Sequence, residues 1–262
     1  MGIIAAIALP TIHSFKPNAG GAASRQLLDA ISRARQLAIS QRSTVFMVFV
    51  PPGFYREANY GVNYTLADVT NATSLMDKQL VGYNYVSLRS VGDQPGLRFP
   101  RYLSSWHTLP AGAFVSLEKF TPNNTLNPVP VLKVFTNSLV AYQVFGFNYT
   151  NIFPFPSEQT PPAAIVNGIK QWISLPYLAF DGMGRLVLGD GSSPVQSEFI
   201  PITEGSVSVP RDATTKSAIP AASGVPALTA RDVPSGNTTN NYNLVYIDPL
   251  TGRGRIEHLK VQ

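Results

Sequence analysis

Residues 22–50 read AASRQLLDAISRARQLAISQR followed by STVFMVFV, and this stretch decides the fold. In its first part Leu27, Ala30, Ile31, Ala34, Leu37 and Ala38 fall at i, i+3, i+4, i+7, i+10 and i+11. That spacing keeps one apolar stripe on a helix of 3.6 residues per turn. After Arg42 the texture changes to a β-branched and aromatic run that Pro51-Pro52-Gly53 stops, which reads as a strand. Working outward, the chain ahead of the shaft is an uncharged tip, Gly2, Ile3, Ile4, Ala5, Ala6, Ile7, Ala8, Leu9 and Pro10. The expectation is an N-terminal assembly helix over 1–42, broken near Lys16 to Gly21 by Pro17, Gly20 and Gly21, and a β-rich body over 43–262. Leu27, Ile31, Ala34 and Ala38 are expected to pack on the body, with Lys16 and Arg33 left exposed.

Composition sets the limits. The 262 residues are 44% hydrophobic and only 13% charged, which supports a real core and argues against disorder. With 22 prolines and 20 glycines, turns should be many and further long helices few. The absence of cysteine excludes disulfides, thiolate metal sites and cysteine nucleophiles. The net charge of +5 owes much to Lys16, Arg25, Arg33, Arg35 and Arg42, against Asp29 alone in the helix. Such a stem suits anionic lipid heads or acidic neighbours, and equally a solvated face. The tip is too short for a bilayer span of roughly twenty apolar residues. It also lacks the basic start of a secretory signal.

MGIIAAIALPTI resembles the latter half of the N-terminal segment of type IV pilins and type II secretion pseudopilins, with Pro10 matching their helix-kinking proline. The resemblance implies that a prepilin leader, a methylated phenylalanine and a nearby glutamate belong upstream of Met1. Ala34-Arg35, Ala38-Ile39 and Arg42 are similar to the stem of the minor pseudopilins of the GspH/FimT type. Trp106 to Gly112 resembles their W-x-x-L-P-x-G lead into a strand. Phe180 to Arg185 resembles the F-D-x-x-G-R hairpin, and Pro249 to Arg255 the closing P-x-T-G-R-x-R hairpin. What this implies is an α+β fold: a long N-terminal helix packed on a mainly antiparallel sheet with loop insertions. It further implies a structural subunit of a pilus-like or pseudopilus filament. Its partners would be other pilin or pseudopilin subunits, and the bacterial inner membrane before assembly into a periplasmic or extracellular filament.

Other features are weighed on their chemistry. The Asp-Gly pairs at Asp181 and Asp190 and the Pro249–Gly252 stretch suit tight turns. A calcium loop from Asp181 and Asp190 is the alternative, but the acidic ladder of an EF-type loop is absent. Phe145, Phe147, Tyr149, Phe153 and Phe155 suit core or inter-subunit packing more than a glycan platform. Five Asn-x-Thr triplets, at Asn63, Asn71, Asn123, Asn148 and Asn237, are ascribed mainly to turn chemistry and chance. Short helices are expected around Ser74 to Leu80 and Ala163 to Trp172. Strands are expected at Val129 to Phe135 and Leu139 to Phe145, and a long surface loop over 205–241. The insertions should elaborate one sheet.

His13, His107 and His258 lack metal-ligand spacing, and no nucleophile-elbow, phosphate-loop or dinucleotide motif occurs. Neither an enzyme nor a cofactor is expected. Without a Lys/Arg run interleaved with aromatics, nucleic acid is not the expected partner either. The runner-up function is a surface-displayed module that binds a glycan or secreted cargo on the same anchor, and behind it an anchored enzyme.

Overall fold

The computed structural model describes residues 19–56, 66–87, 89, 100–123, 128–136, 139–155, 172–194, 196–209, 211, 214, 228–233, 235 and 243–258. The described residues open with helix α1 (Ala19–Gln41) and strand β1 (Val45–Phe49), then helix α2 (Leu66–Met76) and β2 (Gly82–Ser87). Short strands β3 (Arg101–Tyr102), β4 (His107–Thr108) and β5 (Ala113–Val115) lead to the hairpin β6 (Pro130–Thr136) and β7 (Leu139–Phe145). A second hairpin pairs β8 (Ile152–Pro154) with β9 (Trp172–Ser174), and β10 (Tyr177–Phe180) and β11 (Leu186–Val187) follow. The chain closes with β12 (Glu198–Ser208), β13 (Thr229–Asp232), β14 (Asn243–Ile247) and β15 (Gly254–His258). The described fold is α+β, dominated by antiparallel strands, with a 23-residue helix at its N-terminal side.

Helix α1 forms because its apolar stripe has somewhere to go. Leu27, Ile31, Ala34 and Ala38 are all 0% exposed, and Ala30 is buried beside them. Leu37 is half-buried, and Arg33 is exposed. The helix ends at Arg42, which takes a positive φ of 48°, while the Ser43 N–H returns to the Ala38 carbonyl at 3.2 Å. The expected break does not reach Gly20 and Gly21, which lie inside the helix. Close approach outweighs propensity here: a Cβ on Gly20 would come within 2.6 Å of the Asn243 side-chain amide and 2.9 Å of Glu204 Oε1. Residues 1–18, with the tip and Lys16, lie outside the described residues.

Two larger sheets are present instead of one elaborated sheet. The first is 6-stranded, ordered β11-β10-β1-β2-β3 with β4 also on β2. The second is 5-stranded, ordered β13-β12-β14-β15 with β5 also on β12. The Leu186 N–H donates to the Pro249 carbonyl at 3.0 Å and links the first to the β14–β15 turn. Helix α1 packs on both sheets.

Strand parity explains why β1 is apolar at every position. Val45, Met47 and Phe49 join the core under α1, with Tyr83, Tyr85, Leu178 and Phe180 from neighbouring strands. Phe46 and Val48 face the opposite side and meet Val86, Tyr177 and Ala179, together with Leu75 and Met76 of α2 and Phe153, Phe155 and Ile173 of the second hairpin. A strand covered on both faces reads as an unbroken apolar run. The β6–β7 hairpin likewise covers the outer side of the second sheet, where Val144 packs with Phe199 and Leu244.

Several local expectations shift. The helix placed around Ser74 to Leu80 is α2, which ends at Met76, and residues 77–81 are a turn in which Leu80 takes a positive φ of 64°. Trp172 opens β9 and does not end a helix; residues 156–171 lie outside the described residues. The loop expected over 205–241 contains the end of β12 and all of β13, paired from Gly205–Asp232 to Ser208–Thr229. These strands lack an apolar period because they run at the sheet margin, where β13 alternates exposed and half-buried.

Candidate assembly interface

The buried face of α1 is fixed by polar pins as well as by its stripe. The Gly20 N–H donates to Glu204 Oε1 at 2.9 Å. Gln26 Nε2 donates to the Thr108 carbonyl at 2.7 Å and to the Tyr83 hydroxyl at 3.3 Å. The Tyr85 hydroxyl donates to the Ala30 carbonyl at 3.1 Å. Burial pushes the Tyr85 phenol up, so it remains a neutral donor at any physiological pH. Near the C-terminal end Arg35 Nε donates to the Thr251 carbonyl at 2.8 Å and the Gly184 carbonyl at 3.1 Å.

That last pin joins the sequence blocks that carry the family resemblance. Gly184 and Gly252 both take positive φ, 79° and 62°. A Cβ on Gly252 would lie 2.0 Å from the Gly184 carbonyl oxygen, and one on Gly184 would lie 2.8 Å from Ile39 Cδ1. The two glycines let both turns touch each other and the helix. Arg35→Ala removes charged hydrogen bonds to two carbonyls and is expected to cost roughly 1.5 kcal/mol. Chemical denaturation of the purified body measures it, and an unchanged midpoint would contradict the pin.

The acidic residues of these turns are used locally. Asp181 Oδ1 accepts from the Met183 and Arg185 N–H groups, at 3.0 and 2.9 Å, and Oδ2 accepts from Arg185 Nε at 2.8 Å. Asp248 Oδ1 accepts from the Leu250 and Thr251 N–H groups and the Thr251 hydroxyl. Asp190 Oδ1 accepts the Ser192 N–H and hydroxyl. The Thr251 N–H and hydroxyl hold Asp248 below the ordinary carboxylate range. For a carboxylate lowered on folding, the stabilisation is present above its unfolded pKa of about 3.9 and is lost as pH falls through the lower folded value. Amide exchange at Leu250 and Thr251 should therefore stay protected at neutral pH and open below about pH 4, and protection unchanged at pH 2 would contradict this reading of the turn.

The outward face of α1 carries exposed Arg25, Arg33 and Arg42 around exposed Asp29. The Arg33 guanidinium lies 5.8 Å from the Tyr85 ring centroid. Of the aromatics in question, Phe145, Phe147, Phe153 and Phe155 are buried and Tyr149 is half-buried, so they build the interior. Phe147 stacks on Phe49 at 4.7 Å, and Phe153 meets Phe46 edge-on at 5.2 Å. His107 stacks on Tyr83 at 5.4 Å, His258 ends β15, and His13 lies outside the described residues.

Among the described residues no group of three or more His, Cys, Asp or Glu could hold a metal. A cavity of about 580 Å³ is lined, among the described residues, by Phe114, Leu117, Glu118, Ala230, Arg231, Asp232 and Ser235. No described helix is long and apolar enough to cross a membrane. Gly2 to Pro10 lie outside the described residues, as do Asn63 and Asn237.

Sequence reasoning missed the pinning residues Arg35, Gln26 and Glu204. It also missed the pairing of the fully buried Lys119 with the half-buried Glu198. A lysine inside the short apolar segment FVSLEKF was the available signal. No protein-family model, curated protein or solved structure matches the chain.

Proposed function

We propose that this chain is a pilin-like structural subunit of a type IV pilus-like or type II secretion pseudopilus filament. The observation that carries the reading is the division of labour along the N-terminal forty residues. From Gly20 to Arg35 the helix is committed to its own body, its stripe buried and its backbone pinned to both sheets at Gly20 and Ala30. The sequence ahead of it, Gly2 to Leu9, is uncharged and has no polar face. A segment that is apolar all round needs neighbours on all sides. In this reading lipid supplies them before assembly and the corresponding segments of other subunits supply them in the filament. The insertions then carry partner specificity, since α2 and the β8–β9 pair cover the face of the first sheet opposite α1. No catalytic step and no cofactor enter.

The absence of cysteine makes the test clean. Single substitutions Ile4→Cys and Ile7→Cys, in the protein as the cell makes it, are expected to form disulfide-linked dimers under mild oxidation when the assembly machinery is present. Ser32→Cys, on the exposed face of the stem, reports whether the neighbour also touches the shaft. Tip cysteines that stay monomeric in every fraction would count against assembly through this segment.

A further inference from the structure

Turns are usually polar, yet the two that Arg35 pins carry large apolar side chains in the open. Leu250 is 73% exposed, Met183 71% and Ile39 40%. The three belong to one patch. Arg35 Nε bonds the carbonyls of Gly184 and Thr251, and Met183 and Leu250 immediately precede those residues. The Leu186 N–H meets the Pro249 carbonyl at 3.0 Å, which also holds the two turns side by side. Ile39 joins them from the helix, since a Cβ on Gly184 would lie 2.8 Å from its Cδ1. Each apex is fixed by its own aspartate: Asp181 accepts the Met183 N–H and Asp248 the Leu250 N–H, both at 3.0 Å.

The setting is basic. Arg185 and Arg253 belong to the same two turns, and a Cβ on Gly182 would come within 3.1 Å of the Arg42 carbonyl carbon. With Arg35 that makes four arginines against two aspartates. Asp181 pairs with Arg185 at 2.7 Å, and Asp248 Oδ1 is taken by the Leu250 and Thr251 N–H groups. Arg42 and Arg253 are exposed. An excess of positive charge thus surrounds a protruding apolar centre. A protein partner would have to offer a pocket for each protruding side chain. A bilayer surface needs none: its acyl boundary accepts apolar side chains, and anionic headgroups meet the arginines. An uncharged segment, such as Gly2 to Leu9 of a second copy, would leave the arginines without anions.

We propose that this end of the body docks on the surface of an anionic phospholipid bilayer. Leu250 and Met183 enter at headgroup level, and Arg42 and Arg253 lie against the phosphates. Ile39 is roughly 30 Å along α1 from Gly20, so this contact is separate from the hold that the N-terminal segment supplies in the assembly reading.

The test attaches an environment-sensitive fluorophore to Leu250→Cys or Met183→Cys in the full chain, which has no other cysteine. Thr229→Cys, exposed on β13 at the opposite edge of the second sheet from β15, is the reference. Vesicles of mixed phosphatidylglycerol and phosphatidylcholine are expected to shift the emission at 250 and 183 to the blue and to leave the label at 229 as in water. Vesicles of phosphatidylcholine alone should shift none of the three. Arg42→Gln or Arg253→Gln in the chain labelled at 250 should raise the lipid needed for half the shift roughly fivefold, and added salt should act in the same direction. Labels at 250 and 183 that stay in water on anionic vesicles overturn the proposal. So does an equal shift on phosphatidylcholine alone, which would mean apolar capture without the arginines. A shift that appears without lipid and grows with protein concentration also overturns it, and assigns the patch to a second copy.

Discussion

Ile31→Asp is expected to unfold the body at ambient temperature. Ile31 is 0% exposed in the middle of the α1 stripe, and a Cβ on Gly254 of β15 would lie 3.9 Å from its Cγ2. The substitution deletes an apolar side chain worth about 2–3 kcal/mol of burial. It also places a carboxylate in the core shared by α1 and both sheets, among Val245, Ile247 and Phe180. Burying a charge without a partner adds several kcal/mol, or forces the group to take up a proton. The sum approaches the whole stability of a domain, about 5–15 kcal/mol. Thermal and denaturant melts followed by circular dichroism measure it. Arg33→Asp, two residues on and exposed, is the control and should move the midpoint little.

Gly252→Ala is expected to cost about 3 kcal/mol or more, although it adds a single methyl. Two effects add. The φ of 62° disfavours any Cβ by roughly 1–2 kcal/mol. The new methyl would also stand 2.0 Å from the Gly184 carbonyl oxygen, a backbone atom fixed in the neighbouring turn. Relief requires the two turns to separate, which loosens the carbonyls that hold Arg35. Gly191→Ala is the comparison: φ is 88°, but nothing lies within 4 Å of the added Cβ, so only the conformational part remains. A loss equal at the two glycines would contradict the packed-turn account.

These positions also show what the sequence makes legible. The stripe from Leu27 to Ala38 and the strand Val45–Phe49 follow from period and composition, because burial imposes a pattern every few residues. Asp181-Gly182 and Pro249–Gly252 are readable as turns, since only certain residues tolerate those dihedrals. That the two turns touch, and that Arg35 bridges them, is not readable. Residue 35 is separated from Gly184 by 149 positions and from Thr251 by 216, and local chemistry does not encode which distant partner a guanidinium finds. Gly20 and Gly21 mislead in the opposite direction. Their propensity argues for a break, while at Gly20 the Asn243 and Glu204 side chains come so close that a Cβ would have to displace them. β13 escapes notice because a marginal strand only half-buries its inward positions, so its sequence, Thr-Ala-Arg-Asp, carries no apolar alternation. Lys119 and Glu198 meet across 79 positions, with the lysine buried in the one-turn 3-10 helix Leu117–Phe120.

The central claim is that the N-terminal segment serves assembly and is not part of the body's core. Its most direct test deletes residues 1–12 from the protein as the cell makes it, then follows membrane fractionation, sedimentation and circular dichroism beside the undeleted protein. The account predicts that the undeleted protein is retained by membranes and enters filaments. The deleted protein should be soluble and monomeric, with unchanged dichroism and melting. If the deletion unfolds the body, or if the undeleted protein is a soluble monomer without detergent, the account is contradicted.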